Sequence, residues 1–427
     1  MASNYVTVAC RHCEGGIEFD ASEFEESETR EITCPHCGIE TSIFVPPAET
    51  AIPPDLMGLY RKAIEGDAEA QSAIGSICLL GIGVPQDWSE AVKWFRKAAM
   101  EGLAWGQFGL GTCYEGGKGV PQDYSEAVRW FRKAVEQGDA AAHTMLAVCY
   151  INGRGVPKDD FEAVKLFRVA AEKGIAIAQI QLAARLDLGQ GIKQDHYEAT
   201  KWYRKAAEQG DVKAQHVLAL AYYNGQGVSQ DFVEAVKWYR KAAEQGDVKA
   251  QCVLGSCYHR GIGVKQDDVA AIKWIRKAAE KGFAVAQFGL GSCYFAGEGI
   301  KRDDVEGFKW TLKAAEQGLD AAQYVVAESY CNGRGGSQNV IEAIKWLTEA
   351  AKQGHAGAQV KLGAYYFTGH NIPTDLIEGY KWFLVAAGQS DSKAKEMCAM
   401  VHKSLNSEQI AESCRRAAAF VPKKNVF

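Results

Sequence analysis

Four cysteines near the N-terminus have the spacing of a metal site. Cys10 and Cys13 form one C-x2-C pair, and Cys34 and Cys37 form a second pair after twenty further residues. Each pair can supply two thiolates from one tight turn, and two such turns can enclose a tetrahedral zinc ion. Because four thiolates fill the coordination shell, we expect one zinc ion per chain with a structural role.

The alternative for these cysteines is a set of reduced structural or redox thiols. Two C-x2-C pairs at this separation favour zinc over that alternative. Strand-like stretches flank the pairs, namely VTVAC, REITC and IETSIFV. We therefore interpret residues 1–45 as a four-cysteine zinc ribbon with β structure. Residues 46–54, which are rich in proline, should form an extended linker.

The charge of the chain is unevenly distributed. The net charge is -5, but residues 1–50 carry ten acidic side chains against Arg11 and Arg30. Binding to nucleic acid depends on lysine and arginine side chains that neutralise phosphates. The acidic N-terminal segment is therefore better suited to docking on a protein than on DNA or RNA.

Most of the remaining chain is a tandem repeat. Tryptophan recurs at intervals of 36 residues, with Leu166 at one position of the series, and the other members are Trp94, Trp130, Trp202, Trp238, Trp274, Trp310, Trp346 and Trp382. Self-similarity at such a period is typical of solenoids, whose repeats bury apolar surface by stacking on their neighbours. The interval predicts nine repeats over residues 67–390.

Each repeat should contain two helices. In residues 211–246, DVKAQHVLALAYYNG has helical apolar spacing, and the glycines of NGQGV should end this first helix. Asp231 should begin the second helix as its N-cap, with Glu234 completing a capping box. Residues 55–66 should form a capping helix before the repeats, and residues 391–427 a C-terminal helical cap.

The repeat pattern A-x-x-x-Y-x-x-G-x-G-V-x-x-D-x-x-E-A-x-x-W-x-x-K-A-A-E-x-G resembles that of the Sel-1-like repeat (SLR) family, which is related to tetratricopeptide repeats. The resemblance implies a right-handed α/α solenoid that acts as a scaffold or adaptor between proteins. The expected fold is thus mostly α, with nine helix-pair repeats and a small N-terminal β zinc ribbon.

A binding surface is predicted on the first helix of each repeat. Positions three, six, ten and thirteen of the repeat lie opposite its core face and vary between repeats. Apolar side chains at these positions would form an exposed patch of the kind that marks partner sites. The candidates are Trp105, Phe108, Ile177, Ile180, Tyr223, Phe288, Phe295, Tyr324 and Phe367. The alternative is that neighbouring helices cover part of this stripe.

These features favour a non-enzymatic scaffold that binds a protein or peptide. One alternative is a zinc-ribbon nucleic-acid-binding protein, because the second helices carry a column of basic residues at the position of Lys237. The charge distribution favours the scaffold. A more remote alternative is an enzyme such as a hydrolase. The sequence shows no constellation of a nucleophile and a base, which counts against this alternative.

The sequence also bears on the compartment. No stretch approaches the run of about 18 apolar residues that a membrane span needs, and MASNYVTVAC lacks the features of a secretory signal. The nine cysteines after Cys37 are scattered and odd in number, which favours a reducing compartment. We expect those at the position of Cys113 to be small buried hydrophobic side chains. A cytoplasmic protein with no membrane partner is therefore expected.

Overall fold

The N-terminal segment contains two β-hairpins. The computed structural model describes residues 5–9, 16–20, 29–33, 37, 40–44, 54–369 and 372–423. Strand β1 (Tyr5–Ala9) pairs antiparallel with β2 (Gly16–Asp20), and β3 (Thr29–Thr33) pairs antiparallel with β4 (Glu40–Phe44). Ala9 lies opposite Gly16 in the first hairpin, and Thr33 lies opposite Glu40 in the second. The two hairpins therefore have the same strand lengths and the same register.

From residue 54 onward the described secondary structure is helical. Helix α1 (Pro54–Ile64) precedes the repeats. The first helices of the nine repeats are α2 (Ala68–Leu80), α4 (Ala104–Gly116), α6 (Ala140–Asn152), α8 (Ala176–Leu188), α10 (Val212–Asn224), α12 (Val248–Arg260), α14 (Ala284–Ala296), α16 (Asp320–Asn332) and α18 (Ala356–Thr368). The predicted nine-repeat helical array is confirmed.

The second helices and two C-terminal helices complete the described fold. The second helices are α3 (Trp88–Met100), α5 (Tyr124–Glu136), α7 (Asp160–Glu172), α9 (His196–Glu208), α11 (Phe232–Glu244), α13 (Asp268–Glu280), α15 (Asp304–Glu316), α17 (Val340–Lys352) and α19 (Leu376–Gly388). After them come α20 (Ser392–His402) and α21 (Ser407–Ala418). None of the helices in the described ranges is long and apolar enough to cross a membrane.

The chain divides into two compact units, Met1–Ala206 and Ala207–Phe427, called here the N-terminal and C-terminal units. Each has a core built from the same repeat positions: an alanine early in the second helix, an aromatic residue one turn later, and a leucine of the following first helix. In the N-terminal unit these are Ala91, Phe95 and Leu110, and in the C-terminal unit Ala235, Tyr239 and Leu254. Small alanines let the helices approach closely, while the aromatic rings fill the space between them.

The start of each second helix departs from the predicted capping box. Asp231 is the N-cap of α11, and its carboxylate accepts a hydrogen bond from Glu234 N at 3.0 Å. However, the backbone N–H of Asp231 donates to Tyr222 O at 2.9 Å, and Glu234 pairs with Lys237. The N-cap prediction is confirmed, but the reciprocal bond from Glu234 is wrong, because the first helix already supplies an acceptor for that N–H.

The Gly-x-Gly loop joins consecutive repeats as well as turning the chain. In the loop after α12, Gly261 ends the helix in the left-handed conformation, at φ 68°. Gly263 follows at φ 67° and lies against the backbone of α11 in the preceding repeat. A Cβ at Gly263 would overlap the carbonyl oxygen of Phe232. The second glycine is therefore required for the stacking of one repeat on another.

Buried glutamines add polar contacts between repeats. Gln287 on α14 donates from Nε2 to Ala279 O at 3.2 Å, at the end of the preceding second helix. Gln317 then donates from Nε2 to Gln287 Oε1 at 2.7 Å. The same side-chain-to-carbonyl bond to the preceding second helix recurs for Gln107, Gln179, Gln215, Gln251, Gln323 and Gln359, and Gln71 makes the equivalent bond to Ala63 O of α1. The Nε2 group of each glutamine is paired, which stabilises the stacking, whereas Oε1 of Gln71 and Oε1 of Gln251 are buried without a hydrogen-bond partner among the described residues.

Candidate functional site

The predicted zinc ligands lie mostly outside the described residues. Cys10, Cys13 and Cys34 are in this category, and Cys37 is half-buried in the connection between β3 and β4. In sequence, the first cysteine pair falls between β1 and β2, as the second falls between β3 and β4. Elsewhere in the described ranges, no group of three histidine, cysteine, aspartate or glutamate side chains is arranged to hold a metal ion. The zinc site stays a prediction.

Two of the nine candidate partner-binding residues face solvent. Trp105 on α4 is 48% exposed, and Ile177 on α8 is 62% exposed. Both occupy position three of their repeats and belong to the N-terminal unit. The Trp105 ring lies on Phe108 with centroids 5.2 Å apart, and its Nε1 donates to Ser76 Oγ at 3.4 Å. Trp105 is therefore an exposed aromatic side chain held in one orientation.

The candidates at position six are partly buried between neighbouring helices. Phe108 lies 6.0 Å from the ring of Phe131, and Tyr324 stacks on His355 of the next first helix at 4.6 Å. His355 is the N-cap of α18, where its Nδ1 accepts from Ala358 N, and burial lowers its pKa. The two remaining members of this set are Ile180 and Phe288. All four side chains are half-buried.

The expectation that all nine side chains face away from the core is wrong for Phe295. This side chain is only 7% exposed, and its ring lies against Gly307, whose hypothetical Cβ would be 2.7 Å from it. The guanidinium of Arg334, from the next repeat, covers the ring at 4.1 Å. Position thirteen ends the first helix beside the start of the second helix, so its side chain packs between them.

The other two candidates at position thirteen also lie against the second helix of their repeat, but they are half-buried. The ring of Tyr223 meets Phe232 edge to face at 5.2 Å. Phe367 packs with the core of its own repeat, and its backbone lies close to Gly379. We therefore restrict the candidate surface to positions three and six, and call it the first-helix face.

Two exposed aliphatic residues were missed by the sequence reasoning. Leu220 on α10 and Val285 on α14, at positions ten and three of their repeats, are exposed in the C-terminal unit. Both side chains are smaller than the aromatic candidates on the first helices. Their repeat positions were the available signal, since positions three and ten were both predicted to face away from the core.

The repeated thiols are protected from reaction. Cys113 and Cys149 are buried, and burial raises the pKa of each to about 11. A thiol with such a pKa stays protonated at neutral pH, whereas the thiolate is the nucleophile and the metal ligand. The interpretation of these cysteines as small buried hydrophobic side chains is confirmed at both positions.

The basic column on the second helices is largely neutralised by neighbouring carboxylates. Lys237 pairs with Glu234 three residues before it, and the adjacent Lys241 lies over the Trp238 ring at 4.1 Å. The same glutamate-to-base pairing occurs at Lys93, Arg129, Lys165, Lys309, Lys345 and Lys381. A track for nucleic acid needs cations that are available to phosphates. These pairs favour a solvated helix surface instead.

Comparisons with known proteins identify the repeat. The Sel1 repeat model matches residues 68–103, 106–139, 140–175, 176–211, 212–247, 248–283, 284–319, 320–355 and 356–391. The structure is similar to that of a protective antigen with an SLR fold from uropathogenic Escherichia coli strains, with 30% identity, 85% of each chain covered and a TM-score of 0.58. It is also similar to a Sel1 repeat protein from Oxalobacter formigenes, with 30% identity, 73% of this chain and 90% of the other covered, and a TM-score of 0.55. No curated protein gives a significant match.

Proposed function

Because the chain belongs to the Sel1 repeat family, we propose that it is a non-enzymatic scaffold that binds a protein or peptide partner on the first-helix face. The exposure of Trp105 carries this proposal. Tryptophan is enriched among the residues that dominate binding energy at protein interfaces, and exposed apolar surface often marks such sites.

The fixed orientation of Trp105 adds to this argument. Its indole N–H donates to Ser76 and its ring rests on Phe108, so contacts on two sides restrain the side chain before any partner arrives. Side chains that are ordered in advance lose less conformational entropy on binding. Ile177, at the same repeat position on α8, would supply a second apolar contact within the same unit.

The proposal predicts that the Trp105→Ala/Ile177→Ala variant loses its partner while keeping its fold. Truncation of central interface residues commonly costs about 2–4 kcal/mol of binding energy, which corresponds to roughly 30-fold or more in affinity. Thermal unfolding should be almost unchanged, because both side chains are largely exposed. Affinity purification with quantitative mass spectrometry, compared with the unmodified chain, measures the loss.

The matched control is Phe161→Ala/Tyr197→Ala. These residues are also large and exposed in the N-terminal unit, but they lie on the second helices α7 and α9. The control should retain the partner. Equal retention by both variants, or loss in the control alone, would refute the assignment to the first-helix face.

We further propose that the N-terminal hairpins form a zinc ribbon that serves as an accessory docking module. The support is the position of each cysteine pair in the connection of an antiparallel hairpin, with the same strand lengths and register in both. Such connections can present two thiolates each to one tetrahedral ion. A bound zinc ion would supply folding energy to the ribbon rather than chemistry, since four thiolates leave no open coordination position.

The zinc proposal predicts a loss of metal in the Cys34→Ser/Cys37→Ser variant. Elemental analysis of the full chain, purified without chelator, should give one zinc ion per unmodified chain and a strong reduction in the variant. The far-ultraviolet circular dichroism of the repeats should stay nearly constant, because each repeat packs mainly on its neighbours. The control Cys414→Ser, at an exposed cysteine on α21, should keep its zinc. Absence of zinc from the unmodified chain would refute the proposal.

The compartment belongs to the same proposal. The nine cysteines from Cys78 to Cys414 are free thiols. Free thiols are the usual state in the reducing cytosol, so we assign the scaffold to the cytoplasm.

A further inference from the structure

Three open cavities recur along the second helices of the C-terminal unit. They lie on α11, α13 and α15, with volumes of about 430, 640 and 330 Å³. Each is lined by the tryptophan of its repeat, namely Trp238, Trp274 or Trp310. The cavities are therefore equivalent sites on successive repeats, on helices other than those of the first-helix face.

The last repeat shows how such a site is filled. On α19 the equivalent tryptophan, Trp382, is covered by Phe420, which follows α21, with the rings edge to face at 5.3 Å. Arg416 of α21 donates from Nη1 to Glu378 Oε2 at 3.3 Å. Trp382 is 4% exposed under this cover, Trp238 is 8% exposed without one, and Trp310 is half-buried. The chain itself thus places an arginine and an aromatic residue, four positions apart, on this surface.

Helix α21 can lie on α19 because the C-terminal cap lacks the Gly-x-Gly loop of the regular repeats. In the regular repeats, Gly263 lies at the carbonyl oxygen of Phe232, at the start of α11. The counterpart of Phe232 on α19 is Leu376, and Ser413 Oγ donates to the carbonyl oxygen of the next residue, Ile377, at 3.0 Å. Helix α21 therefore lies where the Gly-x-Gly loop lies in the regular repeats. In the other repeats, the Gly-x-Gly loop occupies the place that Ser413 occupies beside α19.

The cavities lie at the places that correspond to Arg416 and Phe420, where Lys241 and Lys313 lie over the rings of Trp238 and Trp310 at 4.1 Å. The residue at the same repeat position on α19 is Val385, so an incoming aromatic ring has to displace a lysine side chain at these two cavities.

The carboxylate that receives Arg416 is present at two of the three cavities. Glu378 binds Lys381 through Oε1 and Arg416 through Oε2. Glu234 on α11 and Glu306 on α15 occupy the same repeat position, and each binds its own lysine through Oε1. Glu234 and Glu306 therefore reproduce the glutamate–lysine pair of the Glu378 site, without the arginine that α21 adds there.

The third cavity lacks this carboxylate. At the same position on α13 the residue is Ala270, so the cavity at Trp274 has no acceptor equivalent to Glu378. It can accommodate an aromatic side chain but offers no ion pair for an arginine. This difference restricts the full recognition chemistry to α11 and α15.

We propose that the cavities at Trp238 and Trp310 bind a partner segment in which an arginine near the end of a helix is followed, four positions later, by an aromatic residue just past the helix. The arginine would reach Oε2 of Glu234 or Glu306, and the aromatic ring would lie on the tryptophan, as Arg416 and Phe420 do on α19. Aromatic and arginine side chains are the commonest anchors of protein interfaces. This surface is separate from the first-helix face, so either can fail without the other.

The test uses the full chain and a fluorescent peptide with the sequence of residues 405–423, carrying Cys414→Ser to prevent oxidation. Fluorescence anisotropy should show saturable binding, with the affinity reduced roughly tenfold or more by Arg416→Ala or Phe420→Ala in the peptide. Glu234→Lys/Glu306→Lys in the protein should weaken binding to a similar extent, because the new lysines repel the peptide arginine. The control Glu69→Lys/Glu396→Lys changes two exposed glutamates on α2 and α20 by the same charge and should bind normally.

Several results would overturn the proposal. One is an absence of saturation up to a peptide concentration of roughly 1 mM, where even a weak specific complex of about -4 kcal/mol would be half formed. Another is equal binding by the Glu234→Lys/Glu306→Lys variant and its control. Self-association of the unmodified chain that this variant abolishes would assign the cavities to a second copy of the chain instead.

Discussion

Replacing Gly263 with alanine is expected to lower the free energy of unfolding by roughly 2–5 kcal/mol. The residue adopts φ 67°, which costs an L-residue about 1–2 kcal/mol. A Cβ would also collide with the carbonyl oxygen of Phe232 in the preceding repeat, and overpacking of this kind typically costs about 1–3 kcal/mol. Urea unfolding followed by circular dichroism measures the change.

Gly261→Ala is the matched control for this prediction. Gly261 has φ 68°, nearly the same as Gly263, but the nearest atom to its Cβ would be Gln266 Cβ at 3.4 Å, an ordinary contact. Only the backbone cost remains, so we expect a loss of about 1–2 kcal/mol. Equal losses in the two variants would show that the backbone conformation, rather than contact between repeats, accounts for the second glycine.

Phe295→Ala should have the second large effect, lowering the free energy of unfolding by roughly 3–5 kcal/mol. The ring fills the space between Gly307 and the Arg334 guanidinium, and its removal leaves a cavity that the surrounding helices can close only in part. Differential scanning calorimetry should show a clear decrease in the melting temperature.

The comparison for Phe295 is Trp105→Ala, which removes a larger ring from an exposed position. Substitutions at such surface positions usually change stability by less than about 1 kcal/mol. We therefore expect a nearly normal melting temperature. A small effect of Phe295→Ala together with a large effect of Trp105→Ala would contradict the distinction between positions three and thirteen.

The repeat architecture could be predicted because its signals are local. The tryptophan interval, the N-cap aspartates such as Asp231 and the helix-ending glycines such as Gly261 each act within a few residues. These signals recur in every repeat, so the replacement of tryptophan by Leu166 in one repeat does not obscure the pattern. Helix pairs and their boundaries follow directly.

The features that could not be predicted depend on contacts between elements. Glu234 was expected to complete a capping box, but the acceptor for the Asp231 N–H is Tyr222 O on the preceding helix. Phe295 was expected at the surface, but its burial depends on Gly307 in the following helix and Arg334 in the next repeat. Helical periodicity predicts the face of the helix on which a side chain lies. It does not predict which other element packs against that face.

The docking of the C-terminal cap is a further example. Residues 391–427 were expected to form a helical cap, and the absence of the Gly-x-Gly loop was evident from the sequence. The consequence of that absence was not evident. It lets α21 lie directly on α19, with Phe420 on Trp382, and this contact reveals what the open cavities on the other repeats can accommodate.

The central claim is that a protein partner contacts the first-helix face, and site-specific photo-crosslinking tests it most directly. A photoreactive phenylalanine derivative replaces Trp105 in one version of the full chain and Phe161 in another, and both are irradiated in cells that make the protein. We predict a discrete cross-linked protein product from position 105 and little or none from position 161, which lies on α7. Products from position 161 alone, or from neither position, would contradict the claim.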